Sequence, residues 1–130
     1  MDPAEEPPAR QARYIFLPIG NSGESRNLDL KYVRWIKSDG GNTCIVYFND
    51  PVGGSPRDVK YPCGIGQVEK MLSTNDDFRR AHRMHLVNLS HLVSYCKRER
   101  WARMDNDEIL AVGRAYEHVF LDGICNSSGH

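Results

Sequence analysis

The side chains best suited to chemistry in this chain lie between Phe78 and Leu89, where five of twelve residues are Arg or His: Arg79, Arg80, His82, Arg83 and His85. A Leu86-Val87-Asn88-Leu89 run of β type follows at once. The cations continue through Lys97, Arg98, Arg100 and Arg103, and Arg114 opens a later helical segment. From Arg79 to Arg103 there are seven Arg or Lys and one acid, Glu99. The chain as a whole has zero formal net charge, so the basicity is regional, and distribution matters more than the sum. Cations set beside a buried β-type anchor present charge from a rigid sheet to a polyanion. The expected activity is duplex DNA binding through loops held on a small β-fold.

Other chemistries find little support. Ser90 stands next to His91 without an elbow turn or a third partner, so no nucleophilic catalysis is expected. Gly64-Ile65-Gly66 lacks the downstream glycine and Lys-Ser/Thr of a phosphate cradle. Cys44, Cys63, Cys96 and Cys125 form no C-x-x-C pair, and nothing indicates an oxidising compartment; zinc and disulfides are not expected. Cys44 and Cys96 read as small buried residues. His82 and His85, three apart in an extended segment, are expected to point to opposite faces, which argues against metal binding. No metal and no cofactor is expected. Trp35 and Trp101 are expected in core or interface packing rather than stacked on exposed bases.

The elements that position these residues follow from punctuation and periodicity. At 130 residues, 40% hydrophobic and 26% charged, the chain has the size and composition of one soluble domain. No apolar run is long enough to span a membrane, and the acidic, Pro-rich start is unlike a secretory signal; a cytoplasmic protein is expected. Residues 1–12 read as a disordered leader, 13–124 as the folded domain and 125–130 as a flexible tail. Tyr14–Ile19 is an apolar strand ended by Gly20-Asn21-Ser22-Gly23. Asp39-Gly40-Gly41-Asn42 joins the Val33–Ile36 zone to a return strand, Thr43–Phe48, as a hairpin. Asp58–Pro62 reads as an edge strand because of its proline. Ile65, Val68, Met71 and Leu72 carry the period of an amphipathic helix. Leu92–Cys96, Trp101–Met104 and Glu108–Val112 are further strands separated by charged turns. Tyr116, Val119, Phe120 and Ile124 mark the apolar face of a closing helix. The fold class is mainly β, with one mid-chain helix and a C-terminal helix.

Taken together, Ile65-Gly66-Gln67-Val68-Glu69, Phe78-Arg79-Arg80-Ala81-His82-Arg83, Leu86-Val87-Asn88-Leu89 and Ala111-Val112-Gly113-Arg114 resemble the LytTR-type DNA-binding domain of the LytR/AlgR family of bacterial transcriptional regulators. The resemblance covers about residues 14–123. It implies about ten short strands in small sheets, with loops placed in successive major grooves of a direct-repeat site, and no catalysis. It assigns base contacts to Asn42 and Thr43 in the hairpin loop, to Arg83 after the motif histidine, and to Arg114 at the start of the last helix. Arg supplies a donor fork that matches guanine O6 and N7, and Asn42 can pair with adenine or a phosphate. Arg80, His82, Lys97 and Arg98 are assigned to phosphates, with His82 also holding the strand by hydrogen bonding. Met84-His85 stands where the family commonly has Ser and an aromatic residue, and Thr43 is smaller than its usual counterpart.

The implied partners are double-stranded DNA, a second copy on an adjacent repeat and a regulatory protein. The chain is expected to be either a stand-alone regulator or the output half of a longer response regulator. The rival reading is a non-catalytic β-sheet domain for protein interaction or ligand sensing, whose basic patch meets an acidic partner. A third, an RNA- or single-strand-binding barrel, needs exposed aromatics beside the cations.

Overall fold

The computed structural model describes residues 12–19 and 23–127, with side chains described through Ile124. Most of the expected leader, the Gly20–Ser22 part of the first turn and residues 128–130 lie outside that range. Among the described residues, ten strands make three antiparallel sheets. β1 (Tyr14–Leu17) pairs with β2 (Arg26–Asp29). The central sheet has the order β5-β4-β3-β7-β6, from β5 (Pro56–Tyr61), β4 (Cys44–Asn49), β3 (Val33–Ser38), β7 (His85–Asn88) and β6 (Phe78–His82). The third sheet is β10 (Ile109–Ala111), β9 (Trp101–Met104) and β8 (Leu92–Cys96). Helix α1 (Ile65–Met71) precedes β6, and α2 (Glu117–Ser127) closes the chain, running three residues into the expected tail.

The central sheet explains the sequence pattern because a core lies on each of its faces. On one side Val33, Ile36, Val46, Phe48 and Leu86 pack with Ile15, Leu17, Leu28 and Leu30 and with Ile65 and Val68 of α1. On the other, Trp35, Ala81 and Val87 pack with Ala102 and Met104 of β9, Leu110, Val112 and Phe120. Strands covered on both faces read as continuous buried runs, as Val33–Ile36 and Leu86–Leu89 do. β4 alternates, because only one of its faces is fully covered. β5 is an edge strand, as its proline context indicates.

The linkers into β3 and β8 share one device. Asp29 accepts the Lys31 amide at 2.9 Å and caps the 3-10 turn Leu30–Tyr32. Asn88 accepts the Ser90 amide at 3.0 Å and caps Leu89–His91. Asn88 is buried, and its amide nitrogen also donates to the carbonyls of Leu30 at 3.2 Å and Val33 at 2.8 Å. That polar side chain is therefore satisfied inside the core and ties the two linkers together.

Some expectations require correction. Met71 is 44% exposed and Val119 46% exposed, so neither helix buries its whole apolar stripe. Both helices are short: α1 packs on β3 and β7 and α2 on the edge strand β6, so only part of each stripe meets a partner. Cys44 is fully buried, and its thiol is pushed up to about 11, chiefly by burial; Cys96 is only half-buried. Trp101 is half-buried on its sheet, with Arg103 over its ring, whereas Trp35 is in the core.

Candidate nucleic-acid interface

Four connections meet at one end of the molecule. β3 and β7 run antiparallel with Lys37 opposite His85, and the Ser38 amide donates to the Met84 carbonyl at 2.8 Å. This sets the β3–β4 loop beside the β6–β7 turn. The Gly113 amide donates to the Ala81 carbonyl at 2.7 Å, and His85 Nδ1 bonds the Ala111 carbonyl at 3.1 Å, which fixes the end of β10 beside the same turn. The Val112 amide donates to the Arg100 carbonyl at 2.9 Å, so the β8–β9 turn ends there too. Asn42, Thr43, Arg83, Lys97, Arg98 and Arg114 thus gather from distant parts of the sequence. Asn42, Arg83, Lys97, Arg98 and Arg114 are exposed.

The β3–β4 loop closes on itself. The Asp39 amide donates to the Thr43 carbonyl at 2.9 Å, the Thr43 hydroxyl donates to the Asp39 carbonyl, and Ser38 Oγ donates to the Gly40 carbonyl at 3.2 Å. Gly40 sits at φ +82°, a conformation that favours glycine. Thr43, half-buried, therefore shapes the loop with its hydroxyl while Asn42 projects at the tip. The loop rests on α1: a Cβ at Gly64, the residue capping that helix, would come within 2.5 Å of the Gly41 carbonyl oxygen.

The β6–β7 connection is tighter than the sequence suggests. Arg83 and Met84 form a turn between paired His82 and His85, whose ring centroids lie 4.7 Å apart. The expectation of opposite faces is corrected: the chain reverses between the two histidines, so they become cross-strand neighbours. The His85 ring also meets Trp35 edge-on at 5.2 Å, and Trp35 stacks on Tyr47 at 4.4 Å. A row of rings therefore crosses β4, β3, β7 and β6 and ends at the turn. Burial holds the His85 imidazole below its ordinary pKa; the Ala111 carbonyl opposes this, while His82 and Lys37 add to it.

Arg80 and His82, expected at phosphates, are engaged within the protein. Arg80 donates to the carbonyls of His82 at 2.9 Å and Arg83 at 2.7 Å, and it pairs with Glu69 of α1. His82 Nδ1 accepts the Met84 amide at 3.1 Å. The signal for Arg80 is present in the sequence: two residues after buried Phe78 in a strand, it shares the face of Phe78, toward α1.

Arg114 begins a 3-10 turn, Arg114–Tyr116, which leads into α2. Its surroundings are fixed by Glu117, which accepts from the Tyr95 hydroxyl at 2.6 Å and pairs with Arg100 at 3.6 Å. The Tyr95 hydroxyl is pushed up to about 12, first by burial and then by that carboxylate. Sequence reasoning missed a second ion pair, between Arg34 and Glu108, which docks the third sheet on the central one. Arg34 is 2% exposed in the middle of an apolar strand, and Glu108 also accepts from Trp35 Nε1 at 3.1 Å.

Among the described residues no helix is long and apolar enough to cross a membrane. No family model and no curated protein matches the sequence. A solved structure from Bacillus cereus, described as a LytTr DNA-binding domain, is similar to 87% of this chain and 97% of its own, with a TM-score of 0.66 and 20% identity. With its ten strands in three small sheets, its mid-chain helix and its closing helix, this chain has the LytTR-type fold.

Proposed function

We propose that the chain is a sequence-specific, double-stranded DNA-binding transcriptional regulator of bacterial type, non-catalytic and working in the cytoplasm. The observation that carries this reading is the convergence of four connections on one end of the fold, with exposed Arg83, Arg114, Lys97 and Arg98 on three of them and Asn42 on the fourth. The likeness to a LytTr DNA-binding domain supports it. Arg83 and Arg114 read guanines through bidentate pairing, and Asn42 reads from the hairpin tip while Thr43 shapes that loop. Lys97 and Arg98 contact phosphates, which adds salt-dependent affinity and no base preference. The loops enter successive major grooves of a direct-repeat site, where a second copy occupies the adjacent repeat. A regulatory protein partner supplies control.

The decisive experiment is selection of bound fragments from a random duplex pool, followed by titration of the enriched duplex and a scrambled one over a salt series. Enrichment of one motif, with affinity falling steeply as salt rises, is the expected result. Equal affinity for both duplexes at physiological salt would sink the reading. It would leave the alternative, a basic patch for an acidic protein partner.

A further inference from the structure

We propose that Arg80 is a positioning residue, which sets the direction of Arg83 without itself contacting the polyanion; this rests on the DNA-binding reading above. Arg80 bonds the two carbonyls that flank the Arg83 α-carbon, those of His82 at 2.9 Å and Arg83 at 2.7 Å. Each peptide unit is planar, so clamping the unit before and the unit after a residue fixes where its side chain leaves the backbone. A third donor is seated by Glu69 on α1, and the Arg80 side chain is only 13% exposed. The guanidinium carbon lies over the Tyr116 ring, 5.4 Å from its centroid, two residues beyond Arg114. One planar group therefore touches the turn that carries Arg83, the helix behind it and the 3-10 turn that carries Arg114. Lysine cannot replace it, because a point charge on a flexible stem lacks the planar fork.

The competing role for Arg80 is a phosphate contact through its remaining N–H groups, and the two roles predict opposite signs for one variant. Glu69→Gln removes a negative charge and loosens the seat of the guanidinium. Glu69 is partly exposed on α1, so this variant is expected to fold. Glu69→Gln and Arg80→Lys would be titrated against the selected duplex and the scrambled one over a salt series, using the full chain. The expected result is about tenfold weaker binding of the selected duplex by both variants, with the scrambled duplex and the salt slope unchanged. Tighter binding of both duplexes by Glu69→Gln, or wild-type affinity in Arg80→Lys, would overturn the proposal in favour of a phosphate contact. Amide hydrogen exchange at Met84 decides the point without DNA. Faster exchange in both variants is expected, and exchange at the wild-type rate would refute the positioning role. If the wild-type protein fails to distinguish the duplexes, the DNA-reading proposal falls, while the exchange measurement still tests the role of Arg80 in the turn.

Discussion

The β6–β7 and β8–β9 turns carry cations at the same end of the molecule, yet they are built in contrasting ways. The β6–β7 turn is buttressed from within: Arg80 holds two of its carbonyls, and His82 accepts the Met84 amide. The β8–β9 turn leaves Lys97 and Arg98 exposed on long side chains. Its supports are the Val112 amide on the Arg100 carbonyl, a 3.2 Å bond from Trp101 Nε1 to Glu99 and the pairing of Arg100 with Glu117, with Arg100 at φ +52°. Base edges demand placement within fractions of an ångström, whereas a phosphate can be met by a mobile charge. The difference in construction therefore matches the difference in task proposed for the two turns.

Cutting the joint between the two sheets that carry these turns should have the largest effect. Glu108→Ala leaves Arg34 buried without its carboxylate and is expected to cost about 3 kcal/mol of stability, measured by denaturant unfolding. A loss near zero would mean that the sheets are docked by apolar packing alone. Arg83→Ala comes next. It should erase about 1–3 kcal/mol of preference for the selected duplex while the melting temperature stays unchanged, since Arg83 is exposed. The paired change Lys97→Ala with Arg98→Ala should instead weaken selected and scrambled duplexes equally and lower the salt slope by about 0.9 for each phosphate ion pair removed. A fall in the selectivity ratio in this double variant would erase the contrast drawn between the turns.

The smallest effect concerns pH. His85 has a folded-state pKa below its ordinary value of 6.5, so its neutral form favours the fold. That contribution is complete above the unfolded value and is lost as pH falls through the lower folded value. Melting temperature should therefore drop with acidification, and His85→Gln should flatten this part of the profile. An unchanged slope in the variant would show that another group is responsible.

Much of this arrangement is legible in the sequence where turn chemistry is explicit. Asp39-Gly40-Gly41-Asn42 and Asp105-Asn106-Asp107 announce their hairpins, and β-branched and aromatic runs announce the strands between them. The β6–β7 turn is hidden because Arg83-Met84 contains no Gly, Asn or Pro. The segment therefore reads as continuous strand, in which His82 and His85 would fall on opposite faces. Arg34 is hidden for a different reason. Its partner Glu108 lies in the connection just before β10, and no local pattern records a contact made across so much chain. Arg80 lies between these cases, since its face is readable from Phe78 but its acceptors are created by the hidden turn.

The close approach of Gly64 to Gly41 bears on how such a domain could be retargeted. Asn42 is exposed in this loop, and on the proposed DNA-binding reading its exchange would change which base is preferred. Position 64 has no such latitude, because even an alanine methyl would press on the backbone that supports the tip. A library built to reprogramme this loop should vary residue 42 and leave residue 64 as glycine. The letters of recognition can then change while the hand that holds them stays still.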